Sequence, residues 1–164
     1  MFTKPKLLLL ALNFLVALAI FTLSANSFFP DQDDYIALAE SILFGKFSSY
    51  FYLDTYYPAT LRSPGYPIFL AFFLSFSSNI FLIKFSQLFF YFCSIILAMQ
   101  IVKHLTKDNS AQYIFLALST ICIQIPYYAA LISSELITIF LVILILYFLL
   151  TKQSNNVLTN FITG

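Results

Sequence analysis

The chain has 164 residues, of which 61% are hydrophobic and 9% are charged, and its formal net charge at pH 7 is +1. So few polar side chains cannot cover a water-soluble globule of this size, and so small a net charge gives no basis for binding nucleic acid or another highly charged partner. We therefore expect a lipid bilayer to cover most of the surface.

Four apolar stretches approach the roughly 20 residues that an α-helix needs to cross a bilayer. They are residues 7–24, 80–102, 112–128 and 135–150. The first follows Lys4 and Lys6 as a signal peptide would, but it has no convincing small-residue cleavage site and is interpreted as a retained anchor. The sequence thus predicts an all-α, polytopic membrane protein with about four transmembrane helices in a single module.

The lysines favour one orientation in a cell or inner membrane. If the four helices alternate, the positive-inside bias places both termini in the cytoplasm, because one side then holds Lys4, Lys6, Lys103, Lys107 and Lys152. The loop of residues 25–67 then lies outside and holds five of the seven acidic residues: Asp31, Asp33, Asp34, Glu40 and Asp54. Lys84, near the end of a span, is expected to extend toward the outer interface.

Two short interfacial helices are predicted in and after this loop. Apolar residues from Tyr35 to Leu43 recur at helical spacing, and Gly45 follows as a stop. Residues 68–76 are apolar but too short to span a bilayer. Tyrosine suits the headgroup level, so the loop should lie on the membrane surface through Tyr35, Tyr50, Tyr52, Tyr56, Tyr57 and Tyr66.

The acidic motif of residues 30–35 directly follows the first span. Its carboxylates, Asp31, Asp33 and Asp34, could hold a divalent cation or accept a proton from an acceptor hydroxyl. Alternatively, aspartate near a helix N-terminus caps free N–H groups and meets the helix dipole. A divalent cation is the one cofactor that the pattern suggests, and the sequence assigns no particular metal.

A turn with two prolines and a glycine, residues 61–67, carries the only arginine of the loop, Arg62. A guanidinium offers a fork of donors that matches a phosphate, such as that of a lipid-linked donor at this depth. The alternative is an interfacial arginine that contacts lipid headgroups in general.

Ser133, Ser134 and Glu135 lie at the outer mouth of the fourth predicted span. Ser or Glu could cap the helix there, but an ionisable group at the edge of a span is also a candidate functional residue. Cys93 and Cys122 fall in apolar stretches and are interpreted as small buried hydrophobic residues, not as a disulfide or metal site.

The order of these motifs resembles the N-terminal part of GT-C glycosyltransferases, in particular the branch of protein O-mannosyltransferases and aminoarabinose lipid A transferases. The resemblance is carried by Asp31 and Tyr35, Leu38-Ala39-Glu40, Gly45, the run Arg62-Ser63-Pro64-Gly65-Tyr66-Pro67, and Ser134-Glu135. Members of that family have many more spans, so the chain is expected to be the opening part of a longer enzyme.

The resemblance implies that a sugar moves from a polyprenyl-phosphate donor to an acceptor on the non-cytoplasmic face. It implies the acidic catalytic or metal-binding role for Asp31, donor-phosphate contact for Arg62 and a neighbouring binding role for Tyr35. Asp34 and Glu135 are further substrate-binding candidates, being ionisable groups at the membrane boundary. The alternative function is a non-catalytic assembly or scaffold subunit, or an inactive fragment.

Overall fold

The computed structural model describes residues 3–24, 26–27, 29–48, 59 and 62–152, without the side chain of Lys152. Within these ranges the chain is all-α, as predicted. The helices are α1 (Lys4–Ser24), α2 (Gln32–Leu43), α3 (Gly65–Leu74), α4 (Ile80–Thr106), α5 (Asn109–Ile121), α6 (Gln124–Ala129) and α7 (Glu135–Lys152).

Among the described helices, α1 and α4 are long and apolar enough to cross a membrane. Only 17% of the apolar window of α1 and 39% of that of α4 are buried, whereas the core helix of a soluble protein is mostly buried. The helices α3 and α7 are apolar but shorter. Length and composition therefore establish two candidate spans rather than the four predicted.

The third predicted span, residues 112–128, is not one helix. The helix α5 ends at Ile121, and α6 begins at Gln124 after a break at Cys122. Pro126 lacks an N–H group, and its ring would clash with the carbonyl four residues earlier, which belongs to Cys122. The proline is tolerated in the first turn of α6. At about 1.5 Å per residue, the 13 residues of α5 extend only about 20 Å.

The main helical bundle consists of α1, α4, α5, α6 and α7. In it α4 packs mainly along α7, and α1 packs mainly along α5. Its core holds Ala17, Phe21, Leu88, Tyr91, Ile95, Met99, Leu116, Ala129, Ala130 and Leu136. Because α4 and α7 run in the same direction, their C-terminal ends lie at the same end of the bundle.

The helices α2 and α3 pack on each other beside the N-terminal part of α4. The predicted stop at Gly45 is confirmed, since Gly45 has a φ of 71°, a left-handed conformation that glycine adopts without strain. The second short helix begins three residues earlier than predicted. Tyr35 and Tyr66 are buried in this pair, which differs from the predicted headgroup position, while Tyr50, Tyr52, Tyr56 and Tyr57 lie outside the described residues.

Lys84, near the start of α4, is buried within the fold. It is only 5% exposed, and its Nζ donates to the Ser27 carbonyl at 3.4 Å. It therefore ties the start of α4 to the segment after α1. The expectation that the two cysteines are buried is wrong, because Cys122 is exposed directly after α5 and Cys93 is partly exposed.

Candidate functional site

Arg62 is the centre of a charged cluster formed by the turn before α3 and the first turn of α2. Its Nη2 lies 2.6 Å from Asp31 Oδ1 and 3.7 Å from Asp34 Oδ2. Its guanidinium carbon lies 5.2 Å from the centre of the Tyr35 ring, as in a cation–π contact. The structure thus brings together four of the residues that the sequence singled out, with Asp31 and Arg62 in direct contact.

Asp31 occupies the position of a helix cap without capping through its side chain. Its backbone carbonyl accepts the Tyr35 N–H at 3.1 Å, but its carboxylate makes no hydrogen bond to the N–H groups of α2. The carboxylate is directed to Arg62 instead. Side-chain capping, the simpler interpretation of this residue, is therefore wrong for Asp31.

The charged cluster is open to solvent on one side. The side chains of Arg62 and Asp31 are 29% and 37% exposed, so a ligand can reach both groups. The hydrogen bond to Asp31 is the main cause that raises the pKa of Arg62 above its ordinary value. The guanidinium is therefore permanently charged, and an anion is the kind of ligand that it can accept in exchange for a carboxylate.

Tyr35 connects the charged cluster to the start of α7. Its hydroxyl lies 3.4 Å from Ser134 Oγ, within hydrogen-bond distance. Its ring meets the Tyr66 ring edge to face, with the ring centres 4.9 Å apart. The N-terminal end of α7 is therefore joined to the acidic motif through one aromatic side chain.

Tyr66 and Gln87 form a buried support that sequence reasoning missed. Tyr66 Oη donates to Gln87 Oε1 at 3.1 Å, and Gln87 Nε2 donates to the Leu131 carbonyl at 2.9 Å. Leu131 belongs to the irregular segment between α6 and α7, whose buried carbonyls need partners. The sequence did contain a signal, because Gln87 is a polar residue within an apolar predicted span. Gln87 is fully buried in the structure, and a buried amide requires polar partners.

Glu135 is close to this support and differs from the exposed carboxylates. Its Oε2 and the neighbouring Ser133 Oγ are buried and have no hydrogen-bond partner among the described residues. Burial, followed by the charges of Tyr35 and Glu135, raises the pKa of Tyr66 above its ordinary value. Glu135 therefore belongs to the same polar region without touching Arg62.

The acidic motif does not form a compact metal-binding group. Within the described ranges, no three or more His, Cys, Asp and Glu side chains are grouped so that they could hold a metal ion. Asp33 is exposed in the first turn of α2 and is not an ion-pair partner of Arg62. The three carboxylates thus have different surroundings, and Asp31 is the one closest to the arginine.

Comparison with known proteins gives no independent assignment. No family model matches the chain, and neither a curated protein nor a solved structure matches it. The resemblance to GT-C glycosyltransferases therefore stays a hypothesis that rests on the motifs, and the placement of Asp31, Tyr35, Arg62 and Glu135 is what the structure adds to it.

Proposed function

We propose that the protein is an integral membrane glycosyltransferase of the GT-C type, or its N-terminal module. It would transfer a sugar from a polyprenyl-phosphate donor to an acceptor hydroxyl on the non-cytoplasmic face. Insertion into a bilayer is supported by large apolar side chains that point away from the bundle, such as Leu8, Leu15 and Leu23 of α1, which are 72%, 60% and 87% exposed.

The observation that carries the proposal is the contact between Asp31 and Arg62 on the face of Tyr35. The two charged residues come from motifs 31 positions apart, and each supplies a function that sugar transfer requires. A guanidinium can bind the donor phosphate, and a carboxylate can take the proton of the acceptor hydroxyl. Their separation of 2.6 Å supports the proposal, because two groups this close could act on one anomeric carbon.

In the proposed reaction the donor phosphate first competes with Asp31 for Arg62, which frees the carboxylate. The acceptor oxygen then attacks the anomeric carbon, and the bond from that carbon to the phosphate oxygen breaks. The phosphate leaves with the electron pair as polyprenyl phosphate, and Arg62 stabilises the charge that develops on it. The proton of the acceptor hydroxyl passes to Asp31.

A second candidate is favoured by the same ion pair. Arg62 and Asp31 already neutralise each other, so the pair could serve only to fix the turn before α3 to the start of α2 in a non-catalytic scaffold subunit. Under that alternative the sign of each charge is unimportant as long as the two charges remain opposite. Exchanging the two residues therefore distinguishes a catalytic role of the pair from a purely structural role.

The test compares Asp31→Asn, Asp33→Asn and the exchange Asp31→Arg with Arg62→Asp, at matched membrane abundance. Transfer from polyprenyl-phosphate donors that carry hexose or pentose is measured together with thermal unfolding in detergent. Loss of a general base costs about 100-fold to 10,000-fold in turnover. We expect that loss for Asp31→Asn, near-normal turnover for the exposed control Asp33→Asn, and an exchange variant that unfolds normally but stays inactive.

Normal turnover in Asp31→Asn, or recovery of turnover in the exchange variant, would contradict the role of Asp31 as a base. Binding of unsubstituted polyprenyl phosphate gives a readout that does not depend on the sugar. Arg62→Gln should weaken that binding. A wild-type protein that neither transfers sugar nor binds polyprenyl phosphate would support the scaffold alternative.

A further inference from the structure

A second polar region lies at the opposite end of the bundle, where the C-terminal ends of α4 and α7 lie side by side. A cleft of about 650 Å³ opens there, lined by Gln100, Lys103, His104, Lys107, Tyr147 and Thr151. Gln87, which supports the candidate active site, lies 16 residues before Lys103 on α4, or about 24 Å along the helix. The cleft is therefore separate from the proposed site of sugar transfer.

The cleft has an excess of positive charge. Lys103 and Lys107 are exposed, and neither forms an ion pair with any described residue. The nearest acid in the chain, Asp108, does not line the cleft, and its Oδ1 accepts the Ser110 N–H at 2.9 Å as the cap of α5. Two ammonium groups and an imidazole thus face a cavity without a carboxylate in its wall.

Lys103 and Lys107 could simply offset the dipole at the C-terminal end of α4, but their positive charge exceeds the negative charge of that helix end. The end of a helix carries about half a negative charge, whereas Lys103 and Lys107 carry one positive charge each. Lys6 does not line the cleft. It is 4% exposed, and its Nζ donates only to the neutral side chains of Asn109 and Gln112.

The backbone at the end of α4 holds Lys103 and Lys107 close together. Lys107 has a φ of 54° and is the only non-glycine residue of the described chain with a positive φ. A left-handed residue is a common way for a helix to end. Lys107 closes α4 through a hydrogen bond from the Lys107 N–H to the Lys103 carbonyl at 3.0 Å, so both lysines belong to one turn.

Tyr147 supplies a neutral donor on the other wall of the cleft. Its side chain is half-buried, and its hydroxyl has no hydrogen-bond partner among the described residues. The Thr151 hydroxyl, in contrast, already donates to the Tyr147 carbonyl at 2.6 Å. A phosphate oxygen in the cleft could therefore accept from both lysines and from the Tyr147 hydroxyl.

We propose that this cleft binds a phosphate-bearing anion, namely the headgroup of an anionic phospholipid in the cytoplasmic leaflet. The inference rests on the membrane insertion proposed above but not on sugar transfer. A lipid is favoured over free phosphate because apolar side chains of α7 flank the residues that line the cleft, with Leu146 45% and Phe148 53% exposed. Acyl chains can cover those side chains while the headgroup occupies the cleft.

The test uses the whole chain in mixed micelles and measures retention of phosphatidylglycerol and phosphatidylcholine by native mass spectrometry. The variants are Lys103→Gln with Lys107→Gln, Tyr147→Phe, and the control Lys4→Gln, which removes an exposed lysine of α1 outside the cleft. A lysine near an anionic lipid surface contributes roughly fivefold in affinity. We expect preference for phosphatidylglycerol, about 25-fold weaker retention in the double variant, and near-normal retention in the control.

Tyr147→Phe distinguishes a built site from general surface charge. Loss of a hydrogen bond to a charged group should weaken retention roughly tenfold. Normal retention in Tyr147→Phe together with an equal loss per charge in Lys4→Gln would overturn the specific site. Displacement of phosphatidylglycerol by millimolar inorganic phosphate would overturn the assignment to a lipid and identify free phosphate as the ligand. Neither result depends on transfer activity, so a failure here is distinct from a failure at Asp31.

Discussion

Arg62 has three neighbours of different kinds: the carboxylate of Asp31, the more distant carboxylate of Asp34, and the face of the Tyr35 ring. An anion that displaces Asp31 would leave the aromatic contact and the second carboxylate in place. The arginine would therefore stay in position while its main partner changes. We therefore expect an incoming anion to replace Asp31 as the partner of Arg62 rather than to bind beside an intact ion pair.

The buried phenol of Tyr66 predicts a specific response to alkaline pH. Burial raises its pKa above the ordinary value of 10, so above pH 10 the native state keeps a proton that the unfolded state releases. The stability present below pH 10 is then lost as the pH rises, by up to about 1.4 kcal/mol per pH unit. Tyr66→Phe removes this titration, so its melting temperature should fall less steeply between pH 9 and pH 11 than that of the wild type.

Thermal unfolding of both proteins in detergent across this pH range is the measurement. Tyr127→Phe is the matched control because Tyr127 is 38% exposed, and it should follow the wild type. At pH 7, Tyr66→Phe should also cost about 1 kcal/mol, since Gln87 loses a hydrogen-bond donor. Identical pH slopes for wild type and Tyr66→Phe would show that Tyr66 does not titrate in this way.

At the scale of the helices, the bundle is held together by polar contacts as well as by apolar packing. Asn13 of α1 is 1% exposed and accepts a hydrogen bond from Tyr91 of α4 at 3.1 Å. Its Nδ2 donates to Ser119 and Thr120 of α5 at 3.2 and 3.3 Å. One amide therefore joins three helices, which apolar contacts alone would not fix in register.

Replacement of Asn13 should accordingly loosen the bundle. Asn13→Leu leaves three hydroxyl groups without this partner, and we expect a loss of about 1–3 kcal/mol in the free energy of unfolding. Leu15→Ala is a suitable control because Leu15 is on the same helix and 60% exposed, so it should change stability little. Denaturation in mixed micelles measures both. Equal stability of the two variants would mean that the amide network contributes nothing to helix association.

At the scale of the whole molecule, the two ends of the bundle differ in chemistry. Asp31, Asp34 and Glu135 lie at the end formed by α2, α3 and the start of α7, while Lys103 and Lys107 lie at the opposite end of α4. In a membrane this difference predicts the orientation, because lysines are enriched on the cytoplasmic side.

The orientation can be tested by single cysteines in a chain from which Cys93 and Cys122 have been removed. Lys46→Cys, in the exposed segment after α2, should react with a membrane-impermeant reagent in intact cells. Lys46 is preferred to Ser48 in the same segment, because Ser48 is fully buried and a cysteine there would not be accessible to the reagent. Lys107→Cys should react only after permeabilisation. The reverse pattern would overturn the proposed topology, and labelling of both positions in intact cells would contradict membrane insertion with this orientation.

The helical class, the stop at Gly45 and the helix ends at Ser24, Ile80 and Glu135 could be predicted from the sequence. Periodicity, caps and glycine conformation depend on residues only a few positions apart. The sequence also held the signal for the break at Cys122, four residues before Pro126, although a scan for apolar length passes over it. The candidate residues Asp31, Arg62 and Glu135 were recognisable as charges in an apolar chain.

The pairing of the charged residues depends on how the helices pack. Local pattern did not distinguish the three carboxylates of the acidic motif, and only the family resemblance favoured Asp31. Packing of α2 on α3 through Tyr35, Leu70 and their neighbours makes Asp31 the partner of Arg62. The same packing buried Tyr66 against Gln87, and the parallel arrangement of α4 and α7 created the basic cleft. These contacts join residues 21 or more positions apart, and no local pattern encodes them because they depend on how complete helices pack.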